Sequence, residues 1–385
     1  MKKIIVVGAG ILGASTAYQL AKMGAEVLVI DRKDKGQATH AAKGIICPWL
    51  SPRKNEAWYR MAKAGAHFYP CFIEELRKEG EKETGYAPVG ALSVHHEKEK
   101  IEKIEKRVQE RKLDAPEIGE ISFLSEMKTA GMFPMLAKRY HSIHISGAAR
   151  VDGEVLRDAL VRSAQRMGAV FLTGDAKLQY HSKRVTGVTV GDESYAADEV
   201  IVCAGVWADQ LLAPLGIHFK VSVQKAQIIY VQVPAANNME SWPAVMPPSK
   251  EYLLAYADKR MAIGATREDN IEGHDVRITA GGLQELLNKG LEMAPGLENS
   301  TFQEARVGLR PFTPGDVPVI GRLPGWDGII AANGLGSSGL TMGPYMGQQL
   351  AKLALKMDVD INLEDYDIKS SRSSLNICCF WCLFV

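Results

Sequence analysis

The run Lys2-Lys3-Ile4-Ile5-Val6-Val7-Gly8-Ala9-Gly10-Ile11-Leu12-Gly13, joined downstream by Val27-Leu28-Val29-Ile30-Asp31, decides how this chain folds. Ile4 to Val7 is an unbroken apolar stretch, and the three glycines after it have the spacing Gly-x-Gly-x-x-Gly. From Ala14 to Met23 the pattern becomes helical, with Ala17, Leu20 and Ala21 on one face, and Val27 to Ile30 is a second apolar run. Two continuous apolar strands around a helix predict a parallel βαβ unit covered on both sides. Glycines at this spacing allow a tight turn, a close approach of backbone amides to a pyrophosphate, and close helix–strand packing. The helix N-terminus then faces the phosphates, and the Asp31 carboxylate can accept a hydrogen bond from an adenosine ribose hydroxyl. Gly8, Gly10, Ile11, Leu12, Gly13 and Asp31 are therefore expected to bind a dinucleotide.

The fingerprint alone does not separate FAD from NAD, but the residues after it do. Gly36 to Ile45 is a small-residue stretch along which a bulky cofactor can lie, whereas a nicotinamide domain would continue with regular α/β units. A second α/β stretch starts at Val151-Asp152-Gly153, with helical spacing over 154–167, a stop at Gly168, and strands at Ala169 to Leu172, Arg184 to Val190 and Val200 to Ala204. Residues 219–267 alternate and are rich in Val, Ile and Tyr, with turns at Pro234 and Pro247-Pro248, the texture of an antiparallel sheet. Glu97 to Lys112 reads as an exposed helix with a thin seam at Ile101 and Ile104, 281–293 as another helix, and 305–354 as a glycine-rich turn followed by a last helix.

The expected fold class is α/β (α+β overall): a Rossmann-like FAD-binding domain with an interleaved antiparallel-sheet substrate domain. The expected division gives 1–85, 145–218 and 305–368 to the cofactor domain, 86–144 and 219–304 to the substrate domain, and 369–385 to an atypical tail.

Composition narrows the function classes. With 385 residues, 46% apolar and 24% charged, the chain can bury a large core. A net charge of +1 gives no support for nucleic acid or an acidic membrane as the main partner. Cys47, Cys71 and Cys203 show no CxxC spacing and read as structural thiols of a reducing compartment, with no metal site expected. No secretion signal is read before the first strand, and the protein is expected to be soluble and cytoplasmic. The tail Ile377 to Val385 is apolar but about half the ~20 residues of a membrane helix, and is given no function. A homo-oligomer and a peripheral membrane contact stay open.

The order of motifs resembles the FAD-dependent D-amino-acid oxidase family, of the glycine oxidase, sarcosine oxidase and D-amino-acid dehydrogenase type. The resemblance rests on Val6 to Gly13, Ala38 to Ile45, Gly147 to Gly153, Val200 to Trp207, Gly308-Leu309-Arg310-Pro311, Pro318-Val319-Ile320-Gly321 and Gly334 to Leu340, and spans about residues 2–368. It implies that the fingerprint with Asp31 and Arg32 holds the ADP half of FAD. It implies further that Ala38, Thr39, Lys43, Gly44 and Ile45 line the pyrophosphate and the isoalloxazine ring. Lys177 matches a position whose backbone contacts the adenine, and Ala204, Gly205 and Trp207 would close over the cofactor. The segment Gly334, Leu335, Gly336, Ser337, Ser338, Gly339, Leu340 and Thr341 would pass the pyrimidine edge of the flavin. There a helix N-terminus near Gly339 would favour the negative charge of the reduced ring.

Arg310 matches the arginine that holds the substrate carboxylate, and its guanidinium fork suits that task. Tyr252 falls where the family carries an active-site tyrosine, with Tyr256 a nearby competitor. Departures bear on the substrate. Serines stand at Gly336-Ser337-Ser338 where relatives carry Arg or His, and Ala226 replaces a glycine in Lys225-Ala226-Gln227. No Cys lies between Cys203 and Cys378 to tether a flavin, so FAD is expected to be non-covalent.

The expected function is hydride transfer from the C–N bond of a small amino acid or secondary amino acid (glycine, sarcosine, a D-amino acid or a proline-like substrate) to FAD, giving an imine. The electrons would pass on to O2 or to a quinone or carrier. His40, His141 and His144 are expected to be structural or rim residues rather than catalysts. A quinone- or carrier-linked D-amino-acid dehydrogenase and a non-catalytic flavin-binding protein are the competing readings.

Overall fold

The structure, a computed structural model, describes residues 1–234, 238–247, 251–269 and 271–374. The apolar run Ile377 to Val385 lies outside them. The opening βαβ unit forms as Lys3–Val7, the helix Ile11–Lys22 and Glu26–Asp31, with the two strands paired in parallel. These strands are central in a six-stranded sheet. Its order is Val319–Arg322, Ile329–Asn333, Glu199–Val202, Lys3–Val7, Glu26–Asp31 and Val170–Thr173. Every neighbouring pair is parallel except Val319–Arg322 with Ile329–Asn333. The helix is buried all round from Ile11 to Ala21, beyond the single face that its apolar spacing suggests. Its outer side is covered by the C-terminal helix Gly339–Ala354, which comes very close: a Cβ on Gly347 would stand 2.6 Å from Ser15 Cβ, and one on Gly343 3.1 Å from Ile11.

The second large sheet has eight strands, in the order Thr301–Phe312, Ser222–Gln232, Arg260–Gly264, Tyr252–Ala255, Ala244–Met246, Ala91–His95, His141–Ile145 and Ile121–Leu124. It is antiparallel except where Ala244–Met246 meets Ala91–His95. The strand Thr301–Phe312 crosses the domain boundary expected at residue 305 and carries the Gly308 to Pro311 motif wholly within this sheet. A small sheet joins Lys43–Ile46, Ala149–Asp152 and Tyr86–Ala87, and Ala176–His181 opens a three-stranded meander.

The helix Glu56–Lys78, which the sequence reading did not single out, is the longest described, although Asn55 stands before it and Gly80, with φ +97°, follows its end. Asn55 caps it by accepting the Trp58 N–H at 2.9 Å, and Trp58, Met61, Ala62, Ala66, Tyr69, Phe72, Ile73 and Leu76 bury its inner face. At Gly65 it crosses the backbone of Thr341, whose oxygen would lie 2.2 Å from a Cβ there. The charged helix Lys98–Lys112 buries Ile101 and Val108, with Ile104 only partly covered, so its seam runs two turns rather than one. No described helix is long and apolar enough to cross a membrane.

Candidate active site

A cavity of about 880 Å³ runs from the fingerprint turn to the near face of the eight-stranded sheet. At the fingerprint end the glycines are sterically required. Gly8 has φ +102°, and a Cβ on it would lie 2.4 Å from Cys203 O; on Gly13 it would lie 1.8 Å from Gly8 O. Gly10 ends the turn and, having no side chain, caps none of the first-turn amides of the helix, beside the cavity that Gly10, Ile11 and Leu12 line. Thr39 Oγ1 accepts the Ile11 N–H at 2.8 Å, which ties the small-residue stretch to the helix start. Gly13 does not line the cavity; its part is the packing of helix on strand.

Asp31 lines the cavity, but much of its carboxylate is already engaged. Oδ2 accepts the Ala9 N–H at 2.6 Å, while Oδ1 accepts the Lys33 N–H at 2.6 Å and Gln37 Nε2 at 2.7 Å. Two lone pairs per oxygen leave Oδ2 one free direction for a ligand hydroxyl. Arg32 pairs with Asp34 at 2.6 Å and Asp175 at 3.3 Å and lies over the Trp207 ring at 5.9 Å, so its charge is spent within the protein. Lys177 lines the cavity with its side chain turned to solvent, as a backbone contact requires.

Ala38, Thr39, Lys43, Gly44 and Ile45 line the middle of the cavity, faced by Ala204, Gly205 and Trp207. The buried Lys43 ammonium is paired with the Asp152 carboxylate and lies 5.5 Å from the Tyr230 ring centre and 5.7 Å from that of Tyr256. Burial pushes its pKa down, against the pull of Asp152. Asp152 also caps the helix Gly153–Arg166, accepting the Glu154 and Val155 N–H groups. Gly334, Leu335, Gly336, Ser337, Gly339, Leu340 and Thr341 form one wall, while Ser338 is buried behind it. The C-terminal helix starts at Gly339 with no side-chain cap, so its N-terminal partial positive charge stays unspent at this wall.

At the far end Arg310 and Tyr252 both line the cavity. Arg310 Nη1 donates to Gln224 Oε1 at 3.1 Å, and Gln224 Nε2 donates to Asp269 Oδ1 at 2.9 Å. The guanidinium is thus braced by a neutral amide, and among the described residues no carboxylate pairs with it directly. Tyr252 stands opposite Gly264 in the sheet, where a Cβ would meet its Cζ and Oη at 2.8 Å; the glycine gives the ring its room. Burial pushes the Tyr252 hydroxyl up to about 12, against the nearby Arg310 charge, so it is a donor across the working pH range. Tyr256 does not line the cavity; its ring lies against Arg150 at 4.6 Å and Lys43.

Four cavity or bracing residues carry no signal that local sequence reasoning picked up: Gln37, Gln224, Arg267 and Asn333. Asn333 donates to Gly205 O at 2.8 Å and accepts the Gly334 N–H at 2.7 Å, fastening the glycine wall to the loop opposite. Its position at the end of a buried strand, immediately before Gly334, was the available signal.

A Rossmann-like sheet with a glycine turn, joined by one long cavity to an antiparallel sheet carrying a guanidinium braced by an amide, is the arrangement of a dinucleotide-dependent enzyme. Residues 3–353 match the family model described as FAD dependent oxidoreductase, and the chain belongs to that family. It is 53% identical to an uncharacterized oxidoreductase, YurR, of Bacillus subtilis (strain 168), over 95% of this chain and 98% of that protein. It is 28% identical to the glycine oxidase of Pseudomonas putida, over 91% of this chain and 94% of that protein. The crystal structure of iminodiacetate oxidase from Chelativorans sp. BNC1 superposes with a TM-score of 0.91 at 42% identity, covering 94% of this chain and 98% of that one. FAD is therefore the cofactor, and the glycine turn, the uncapped start of the helix at Gly339 and a cavity of about 880 Å³ fit it.

Proposed function

We propose that the protein oxidises the C–N bond of a small amino acid or secondary amino acid, with the substrate carboxylate on Arg310. The observation that carries this reading is a guanidinium lining the cofactor cavity with a neutral glutamine, not an acid, as its hydrogen-bond partner. Bound FAD supplies a two-electron acceptor that takes the α-hydrogen as hydride, leaving an imine for hydrolysis.

Each residue then has a defined task. Gly8, Gly10 and the first turn of the helix hold the pyrophosphate, and Asp31 Oδ2 takes the ribose hydroxyl. Arg310 fixes both oxygens of the carboxylate, and Tyr252 donates a further hydrogen bond while keeping water away from the reacting carbon. Deprotonation of the amine needs no side-chain base, since a neutral amine can enter from solution. The start of the C-terminal helix at Gly339 stabilises negative charge that develops along the glycine wall. FAD is held without a covalent bond, since Cys47 and Cys203 are buried thiols whose pKa values burial raises to about 12, which keeps them unreactive.

Similarity to the iminodiacetate oxidase supports the secondary-amine end of the substrate class, and the oxidase relatives support oxygen as the final acceptor. Anaerobic addition of glycine, sarcosine, iminodiacetate, D-alanine or proline should bleach the bound flavin with at least one of them, and admitting air should restore the colour with formation of peroxide. Flavin that none of these bleaches would leave a non-catalytic flavin protein as the better reading.

A further inference from the structure

We infer that Arg267 is a second anion anchor in the active-site cavity, and that the preferred substrate is an amino acid carrying two carboxylates, one held by Arg310 and the other by Arg267. This rests on the reaction proposed above and narrows its substrate class.

Arg267 lines the same cavity as Arg310 and Tyr252 but is exposed, which puts it toward the mouth. Its neighbours fix where it points. Thr266 N–H donates to Gln227 O at 3.1 Å, and the Lys225 and Glu268 backbones exchange hydrogen bonds at 3.0 and 2.9 Å. The side chains of Thr266 and Glu268 turn toward Gln227, with Gln227 Nε2 at 2.6 Å from Glu268 Oε1 and Thr266 Oγ1 accepting the Gln227 N–H at 2.9 Å. In an extended segment successive side chains alternate, so Arg267 between them faces the opposite way, into the cavity.

The acids that follow it in its own segment are committed elsewhere. Glu268 pairs with Lys225 at 3.4 Å, Asp275 with Lys225 at 3.1 Å and with Arg277 at 2.9 Å, and Asp269 accepts from Gln224. Among the described residues, no carboxylate forms an ion pair with Arg267 or with Arg310. Two guanidinium groups near enough for the charge of Arg267 to weigh on Arg310 are thus left without a countercharge in one cavity. Like charges so placed are unfavourable in the empty site and become favourable when two anionic groups enter. A monocarboxylate satisfies Arg310 alone, while a dicarboxylate on a secondary amine, extending from the deep end toward the mouth, satisfies both.

The test compares iminodiacetate with sarcosine, two secondary amines that differ by one carboxylate, in anaerobic flavin reduction by the full-length FAD-loaded protein. The parent should prefer iminodiacetate by about tenfold or more in reduction rate over dissociation constant, the scale of one added charge contact. Arg267→Met should lower that preference to near unity, and Arg267→Lys should restore part of it. Raising the salt concentration should weaken iminodiacetate more than sarcosine. An unchanged preference in Arg267→Met overturns the inference, as does an Arg267→Met protein with a normal melting temperature that has lost FAD. Sarcosine reducing the parent as well as iminodiacetate does overturns the inference but leaves the proposed reaction standing. Failure of both amines to bleach the flavin overturns both.

Discussion

In the proposed reaction Arg310 serves the substrate and Asp31 the cofactor, and substitution can separate the two tasks. Arg310→Lys keeps the charge but removes the fork that fixes two carboxylate oxygens. Flavin reduction by the substrate should fall roughly a hundredfold or more, since loss of a desolvated charged contact costs about 2–5 kcal/mol, while FAD content stays normal. Asp31→Asn should do the reverse. It weakens a charged hydrogen bond worth about 1.5–3 kcal/mol, so FAD affinity should drop roughly ten- to a hundredfold, measured by fluorescence titration of the apoprotein. Substrate alignment in the reloaded enzyme should change little. Both residues line the cavity as expected, Asp31 from the spacing of the glycine fingerprint and Arg310 from the resemblance carried by Gly308-Leu309-Arg310-Pro311. Arg267 and Gln224 were not legible in the sequence, because no local pattern marks them; what matters is which strand lies opposite, as Gln224 beside Arg310 shows.

At the scale of elements, glycines report where helices meet. A Cβ on Gly65 would stand 2.2 Å from Thr341 O, at the crossing of the long helix over the glycine wall, whereas one on Gly131 in the short helix Glu126–Met132 meets nothing within 4 Å. Gly65→Ala should therefore lower stability by about 1–3 kcal/mol through overpacking and loosen FAD by shifting Thr341. Gly131→Ala should be neutral or stabilising by up to about 1 kcal/mol, because alanine suits an open helical site. Thermal melts of both variants, with and without added FAD, check the contrast. The elements that the sequence made visible were those with a turn signature at one end: the βαβ unit, Gly153–Arg166 with Asp152 before it, and the strand Arg184–Val190. The helix Glu56–Lys78 has an equally regular apolar period, Trp58, Met61, Ala62, Ala66 and Tyr69, and a glycine stop at Gly80, but Pro70 inside it disguised it.

For the molecule as a whole, the buried phenols set an alkaline limit. Burial raises the pKa of Tyr59, Tyr252, Tyr345 and Tyr366 to about 12 each, from an ordinary value near 10. A raised folded-state pKa favours the protonated, neutral form. The stability it contributes is complete below about pH 10, where the unfolded chain also keeps its protons, and is lost as pH rises toward 12. The urea midpoint should hold steady to about pH 9.5 and fall steeply above it, and Tyr345→Phe, which cannot ionise, should flatten part of that fall.

The contact between the first helix and the last also governs how this protein can be made. Ile11 and Ser15 pack against Gly343 and Gly347, near opposite ends of the chain. A ribosome that has finished the fingerprint helix has nothing yet to lay over its outer side. That apolar surface must wait, open to chaperones or to neighbouring nascent chains, until the message has been read as far as Gly347. The cofactor pocket is therefore complete only after Thr341 has been made, and a transcript cut short upstream of Gly339 encodes a chain without the end of its glycine wall.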